Sequence, residues 1–404
     1  MGSGLMVRES AQVVVVGAGP VGLTVALRLG LANISCVVLE QEAALPEDLR
    51  ASTFHPPTLD MLSEYGLSQP LIEEGLICPS WQIRMHDTGE RAVFDLSVIE
   101  NDTTHPFRLQ CEQFRLSRLL HERIKSLPSV EVRLGVTLTG LEQDDDGVHA
   151  IWKSASGEGR IDAKLLIGAD GARSTVRKLC EFGFEGKTYP ETTILATTTF
   201  PFEDHMEGLS NVNYVWTEGG TFSLLRLKSL WRCSLYQEES ETLEQALEPA
   251  SIERKLQKIV PSDTPYQKLQ WRPYRVHMRI VDDYRRGRVV LAGDAAHINS
   301  PSGGMGMNGG VHDAFSLTDE IKQVFAGGDL TLLDRYTRRR RPVALNEVLA
   351  QADRNRSRMQ ERDPAKRREI FNDLQTMLAD REAARTYLLR ASMITGLRQA
   401  AAVD

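Results

Sequence analysis

Residues 12–40 read QVVVVGAGPVGLTVALRLGLANISCVVLE, and this stretch decides the fold. A β-branched apolar run at residues 12–16 predicts a buried strand, and a helical pattern follows the glycines through about Leu31. A second apolar run at residues 34–39 predicts a neighbouring strand, which ends at the acidic residue Glu40. Strand, glycine turn, helix, strand and terminal acid together form a βαβ dinucleotide fingerprint, which is far more specific than the glycine pattern alone.

The glycines of this fingerprint have separate physical tasks. Gly17 is expected to make the tight turn, and Gly19 to let a pyrophosphate reach the helix N-terminus. Gly22 is expected to let the helix pack closely on the strand. Glu40, 18 positions after Gly22, is placed to bind a ribose hydroxyl. An acid there favours an unphosphorylated ribose, as in NAD or the adenosine half of FAD.

A second glycine-rich stretch, RVVLAGDAAHINSPSGGMGMNGGVHDA, occupies residues 288–314. Residues 289–291 predict a buried strand, and a helical pattern starts at about Asn308. A glycine loop that runs into a helix N-terminus suits a flat ligand that becomes negatively charged, such as a reduced flavin. Asp294 at the strand end can accept hydrogen bonds from a polyol such as a ribityl chain. The alternative is an ordinary strand-loop-helix connection.

A third strand end lies at Asp170, within GADGARSTVR at residues 168–177. No βαβ unit follows it, so we interpret it as a second contact to the same nucleotide. From about residue 185 to 271 the pattern changes to β-rich runs, and residues 81–85 and 91–96 predict a hairpin. Beyond residue 332 the pattern is helical, with a kink predicted at Pro342.

Composition narrows the classes of function. A net charge of -7 argues against nucleic-acid binding, and the four arginines at residues 338–341 are interpreted as a solvated, ion-paired helix face. No apolar run approaches the roughly 18–20 residues of a transmembrane helix. The five cysteines are dispersed without a CxxC pair, which favours reduced thiols and a cytoplasmic location. The histidines lack metal-ligand spacing, so no metal site is expected.

The three motifs in this order resemble the single-component (group A) FAD-dependent aromatic hydroxylases of the p-hydroxybenzoate hydroxylase type. The resemblance runs from about Val13 to Pro342. It implies a bound FAD that NADH or NADPH reduces without a separate nicotinamide domain. Oxygen then adds at flavin C4a, and a hydroxyl group is transferred to a small, electron-rich aromatic ring such as a phenol or an N-heteroaromatic.

The resemblance also implies an organisation of the chain. It predicts an α/β protein with a Rossmann-like FAD-binding domain, an inserted β-sheet substrate domain and C-terminal helices. The predicted FAD-binding domain is discontinuous and comprises residues 8–75, 105–184 and 276–341. The predicted substrate domain comprises residues 76–104 and 185–275, and residues 342–404 form the helical segment. These last helices are left with three roles: forming a homodimer, lying on a membrane, or covering the flavin domain.

Carried over by position, the resemblance assigns site residues. Pro301 would lie beside the substrate ring. The cofactor-binding candidates are Gly17, Gly19, Gly22, Glu40, Arg50, Gln113, Asp170, Asp294, Gly306, Met307 and Asn308.

The chemistry also requires a dry pocket and a hydrogen-bond acceptor or base that helps a phenol approach its anion. Tyr214 is the first candidate, because residues 212, 214 and 216 share one strand face; the alternative is a tyrosine packed in the core. Arg226 is a weaker candidate for a substrate carboxylate. A halogenase, a reductase and a non-catalytic FAD-binding sensor remain as rival functions, although the WxWxIP motif of flavin halogenases is absent from the sequence.

Overall fold

The computed structural model describes residues 7–47, 51–238 and 240–404. Within these ranges no helix is both long and apolar enough to span a bilayer. The strands of the described ranges are β1 (Val7–Ser10), β2 (Val13–Val16), β3 (Cys36–Glu40), β4 (Thr53–Phe54), β5 (Leu76–Cys78), β6 (Ser80–Met85), β7 (Arg91–Asp95), β8 (Arg108–Gln110), β9 (Val130–Leu134), β10 (Val136–Gln143), β11 (Val148–Ser154), β12 (Gly157–Ala163), β13 (Leu165–Gly168), β14 (Phe184–Thr198), β15 (Val212–Thr217), β16 (Gly220–Arg226), β17 (Trp231–Tyr236), β18 (Lys268–Val281), β19 (Arg285–Arg286), β20 (Val289–Leu291) and β21 (His297–Ile298).

Helices follow the glycine turns and dominate the last part of the chain. In order they are α1 (Pro20–Leu31), α2 (Pro56–Ser63), α3 (Ser68–Glu74), α4 (Gln113–Ile124), α5 (Thr175–Leu179), α6 (Phe202–His205), α7 (Leu243–Ala246), α8 (Pro249–Gln257), α9 (Gly306–Phe325), α10 (Leu332–Val343), α11 (Ala350–Gln360), α12 (Pro364–Ala379), α13 (Arg381–Ala391) and α14 (Ile394–Ala401).

The central sheet has the strand order β19-β20-β13-β2-β3-β9. Its strands run parallel except for the edge strand β19. The valines of β2 are buried, as expected for a strand covered on both faces. The chain leaves β2 towards β3 on one side, while β13 lies on the other, so a ligand-binding crevice is expected at the carboxyl ends of these three strands. This arrangement confirms the predicted α/β class.

The second large sheet has the strand order β21-β18-β14-β17-β16-β15-β6-β7. We call it the roof sheet, because one of its faces covers a chamber. Alternation along each strand gives it two different faces. On β14, Ile194 and Ala196 are buried in an apolar core, whereas Thr193 and Leu195 line a chamber. Helix α8 covers the apolar face, since Ile252 and other residues of this helix belong to the same core. The predicted hairpin is confirmed as β6 and β7, which pair antiparallel.

The C-terminal helices pack against one end of the roof sheet. Phe371 and Leu388 are fully buried in one core with Trp81 and Phe94. The kink expected at Pro342 stays a prediction: the proline lies inside α10, and a π-helical segment (Ala344–Leu349) follows it. These helices therefore cover the sheet end formed by β6 and β7.

Two sequence interpretations need correction. Helix α9 begins at Gly306 and not at Asn308. The arginines at 338–341 are not all solvated: the Arg340 side chain is 1% exposed and pairs with the buried Asp313. The sequence pattern did not indicate that Arg340 is buried, because its partner Asp313 lies in the preceding helix, α9. The proposed domain bounds stay a prediction, and β18 passes through the predicted boundary between residues 275 and 276 without a break.

Candidate active site

A single chamber of about 830 Å³ joins the central sheet to the roof sheet. This volume lies within the roughly 300–1,000 Å³ of small-molecule and cofactor sites. One end is formed by the turns after β2, β3 and β13, and the other by the chamber face of the roof sheet. The loop between β20 and α9 forms the floor that connects them.

The β2–α1 turn forms the nucleotide end of the chamber. Gly17 has a φ of 103°, and a Cβ there would lie 2.5 Å from the Ala169 carbonyl oxygen, so only glycine fits without strain. Gly19 lines the chamber and has no protein atom within 4 Å of its Cβ position. Gly22 does not line the chamber. A Cβ at Gly22 would overlap the Gly17 carbonyl oxygen.

Two carboxylates at strand ends line the same part of the chamber. Glu40 accepts hydrogen bonds from the Ala18 backbone N–H at 2.8 Å and from the Glu42 N–H at 3.0 Å. Asp170 accepts bonds from the Ser174 hydroxyl at 2.6 Å and the Thr175 N–H at 2.6 Å at the start of α5. Burial raises the pKa of Asp170 even though these hydrogen bonds oppose the shift. The structure thus brings Glu40 and Asp170 together at one ligand-sized space.

Asp294 stands at the middle of the chamber floor. It is exposed, whereas its neighbours Gly293 and Ala295 are buried. The strand end is held from behind: Asp313 accepts hydrogen bonds from the Gly293 N–H at 3.2 Å and from His297 Nε2 at 2.8 Å. Asp313, which also forms a buried ion pair with Arg340, therefore holds the backbone next to Asp294.

The start of α9 completes the floor. Gly306 and Met307 line the chamber, as do Gln113 at the start of α4 and the exposed ring of Pro301. The free N–H groups of a helix start and its dipole favour negative charge at this point. Asn308 does not line the chamber.

Asn308 has a different task from the one expected. Its buried amide donates to the Thr53 carbonyl at 2.8 Å and the Gly304 carbonyl at 2.7 Å, and it accepts from the His55 N–H at 2.9 Å. It therefore ties the floor loop to β4. Arg50 lies outside the described residues.

The roof end presents a row of side chains across neighbouring strands. The register pairs Leu195 with Ser234, Ser234 with Ser223, and Ser223 with Tyr214. All of them line the chamber, and Arg272 continues the row beyond Leu195. Tyr214 thus faces the site, while Ser223, Ser234 and Arg272 were missed by the sequence analysis. The alternation of side chains in residues 221–225 separates two faces of the strand. It does not show which of the two faces the chamber.

A buried arginine joins the roof to the floor. Arg232 is 8% exposed and donates to the Ser52 hydroxyl at 2.6 Å. Burial, reinforced by the neighbouring Arg272, lowers its pKa to about 10. Helix α11 closes the chamber through Arg356, which pairs with Glu191 and lies over the Tyr189 ring at 3.7 Å. The roof end is therefore rich in cationic groups.

Arg226 does not reach the chamber, which corrects its assignment as a substrate contact. It pairs with Glu203 at 2.6 Å, and its guanidinium lies 5.7 Å from the centre of the Trp231 ring. The reason is the alternation of β16: the neighbouring Leu225 lines the chamber, so the next side chain points to the opposite face.

Residues 10–352 match the family model described as the FAD binding domain. The chain belongs to this family. Para-nitrophenol 4-monooxygenase from a Pseudomonas species is 37% identical over 96% of both chains. The 6-hydroxy-3-succinoylpyridine 3-monooxygenase of Pseudomonas putida is 34% identical over 85% of this chain and 88% of its own. The crystal structure of p-nitrophenol 4-monooxygenase from Pseudomonas putida superposes with a TM-score of 0.89 at 33% identity, covering 96% of this chain and 98% of that one.

These comparisons confirm the resemblance: the chain is a flavoprotein monooxygenase of the aromatic hydroxylase type, and FAD is its cofactor. The residues fit this cofactor. The open side of Gly19 leaves room for a pyrophosphate, and Asp294 is the exposed carboxylate on an otherwise buried stretch of floor. The contact of each individual residue with FAD stays a prediction.

Proposed function

We propose that this monooxygenase hydroxylates a compact phenol or hydroxypyridine, with NADH or NADPH as reductant. The proposal rests on one observation: the chamber is continuous from Gly19 to Ser223 and Tyr214 on the roof sheet. A dinucleotide at one end would therefore place its ring system next to a ring held at the other. Bound FAD, once reduced, would supply the activated oxygen atom; the residues bind, orient and shield the reactants.

Three parts of the chamber serve this chemistry. The start of α9, at Gly306 and Met307, would stabilise negative charge on a reduced flavin ring. The apolar lining from Leu195, Leu225 and other side chains would exclude water. The Tyr214 hydroxyl would bind the oxygen substituent of the substrate ring. Each role rests on the placement of these groups around one space.

The activities of two similar proteins support the substrate class. One acts on para-nitrophenol and the other on a hydroxypyridine, and both substrates carry an oxygen substituent on a small aromatic ring. We therefore propose the same ring class for this chain.

The direct test is a panel of phenols and hydroxypyridines added to the FAD-loaded enzyme with NADH or NADPH. We expect at least one of them to stimulate oxidation of the reductant and to yield a product that carries one atom from ¹⁸O-labelled O2, detected by mass spectrometry. Stimulated oxidation that forms only hydrogen peroxide with every compound would contradict the proposal.

Replacing Tyr214 by phenylalanine tests the oxygen contact. We expect kcat/KM for the best phenol to fall by about tenfold to a hundredfold, because one hydrogen bond to a charged oxygen is lost. The matched control is Tyr266→Phe, since Tyr266 is buried in the other core and donates to the Val260 carbonyl at 2.7 Å. It should alter stability and leave kcat/KM unchanged. Equal kcat/KM values for Tyr214→Phe and the unsubstituted enzyme would remove Tyr214 from the site.

A further inference from the structure

Helix α11 closes one side of the chamber with a single face. Arg356, Met359 and Gln360 all line the chamber, and their spacing of three and four positions places them on one face of the helix. Opposite them, Glu191 of β14 lines the same space. The roof sheet runs in the order β14-β17-β16-β15 at this point, so Glu191 lies three strands away from Tyr214. The α11 side therefore forms a wall of its own.

Two cross-links join this wall to β14, and we call them together the α11 latch. In the first, the Tyr189 hydroxyl donates to the Asp353 carboxylate. In the second, the Arg356 guanidinium donates to the Glu191 carboxylate. The partners are two positions apart on the strand and three apart on the helix, so the two bonds lie side by side. Two bonds at separate points oppose both sliding and rotation of α11 against β14.

The strand has a bulge where it faces the helix. β14 leaves its register with β18 between Thr188 and Thr192, which pair with His277 and Arg275. Four positions along β14 therefore face two along β18. A bulge re-aims the side chains within it and is frequent next to active sites. Both strand residues of the latch lie inside this bulge, on either side of Pro190, so the irregular backbone directs them towards α11.

The latch holds the Arg356 side chain in place. Its guanidinium lies over the Tyr189 ring, 3.7 Å from the ring centre, and Tyr189 is 6% exposed. The side chains of Arg356 and Glu191 are 17% and 19% exposed, so this ion pair is largely withdrawn from water. Burial and the neighbouring Asp353 raise the pKa of Tyr189, so its hydroxyl keeps the proton that it donates. The latch therefore presents a fixed, charged boundary to the chamber.

A fixed ion pair limits the size of the ring system that fits beside it. An apolar ring pressed against the pair would separate the two charges or cover them without supplying a hydrogen bond, and both are costly. Such a penalty on the wrong ligand is a general source of specificity. A single ring held at Tyr214 stays clear of the pair, since three strand spacings amount to about 14 Å. A second ring that extends along α11 towards β14 approaches it.

We propose that the α11 latch determines how large an aromatic substrate the chamber admits, by excluding a second ring on the side of β14. Arg356 and Glu191 are thus specificity-determining residues, and Tyr189 and Asp353 are positioning residues that act through them. The inference rests on the proposed function, because it concerns the same substrates. It adds a size limit that comes from α11 and not from the hydroxyl groups of the roof sheet.

The test uses the FAD-loaded enzyme without reductant and follows the flavin absorbance as a ligand is added. The probes are 4-nitrophenol, with one ring, and 3-phenylphenol and 4-phenylphenol, whose second rings extend in two directions. The unsubstituted enzyme should bind 4-nitrophenol at least about tenfold more tightly than either phenylphenol. In Arg356→Ala and in Glu191→Ala we expect this discrimination to fall by about tenfold for at least one phenylphenol, because the wall loses its ion pair.

Two further variants separate the latch from a general loss of structure. Tyr189→Phe removes one cross-link and keeps Arg356, so the discrimination should fall by about threefold. Arg354→Ala is the matched control, because Arg354 lies on the same helix, is exposed and donates to Gln351 at 2.7 Å; it should discriminate like the unsubstituted enzyme. A merely structural change would weaken all three probes alike and leave their ratio unchanged.

The helix should stay attached in these variants, because Trp216 Nε1 donates to the Arg358 carbonyl at 3.1 Å. If Arg356→Ala does not fold, Glu191→Ala decides from the strand side. Unchanged discrimination in the variants of the ion pair overturns the proposal, as does an equal fall in Arg354→Ala or equal binding of the three probes by the unsubstituted enzyme. Hydroxylation of single-ring phenols that continues in those cases leaves the proposed function intact, whereas binding of no phenol by the unsubstituted enzyme refutes both.

Discussion

Replacing Asp313 by asparagine is expected to lower the free energy of unfolding by about 3–5 kcal/mol, because it leaves Arg340 buried without its partner. Both side chains are within 1% of complete burial, and Arg340 Nε donates to Asp313 at 2.7 Å. The measurement is urea unfolding of the FAD-loaded enzyme. Because Asp313 also holds Gly293, the variant should bind FAD more weakly.

The matched control is Glu238→Gln, the same change in the exposed pair of Glu238 with Lys258 at 2.7 Å. Exposed pairs contribute little, so its unfolding free energy should match that of the unsubstituted enzyme. A loss of less than about 1 kcal/mol in Asp313→Asn would show that Arg340 is compensated in another way.

This ion pair also predicts a pH dependence. Burial raises the pKa of Asp313, but Arg340 and His297 overcome that effect and lower it to about 2. A depressed pKa adds stability above the unfolded value of about 4, and this contribution is lost as the pH falls towards about 2. The difference between Asp313→Asn and the unsubstituted enzyme should therefore shrink over that interval, measured by urea unfolding at each pH.

Gly19→Ala is expected to yield a folded protein that purifies without flavin. The added Cβ meets no protein atom within 4 Å, so the fold has no reason to change. It would instead occupy the space where the fingerprint brings a pyrophosphate against the backbone. The measurements are the ratio of flavin to protein absorbance and the melting temperature of the FAD-free forms.

Two other glycine substitutions separate the causes. Gly219→Ala also meets no protein atom within 4 Å but lies in the roof hairpin, and it should retain its flavin. Gly17→Ala should lower the melting temperature as well, because its Cβ would lie 2.5 Å from the Ala169 carbonyl oxygen. Full flavin content in Gly19→Ala would show that the pyrophosphate does not approach this turn.

The nucleotide end was predictable because its signals are local. Gly17, Gly19 and Glu40 lie within one βαβ unit, where turn geometry and strand burial follow from neighbouring residues. The roof end was predictable only in part. Tyr214 lines the chamber as expected, and its contact with substrate stays a prediction. Arg226 was assigned to the wrong face, since an alternating strand shows two faces and does not show which is inside.

By itself the sequence determined the class of fold, the cofactor and the family, because each depends on short motifs whose geometry the backbone fixes locally. Only the tertiary structure decided which side chains meet. It placed Arg340 against Asp313 and Arg232 against Ser52, pairs separated by 27 and 180 positions. Burial and charge pairing depend on which residues are close in space. For residues far apart in the chain, strand register and helix packing decide this.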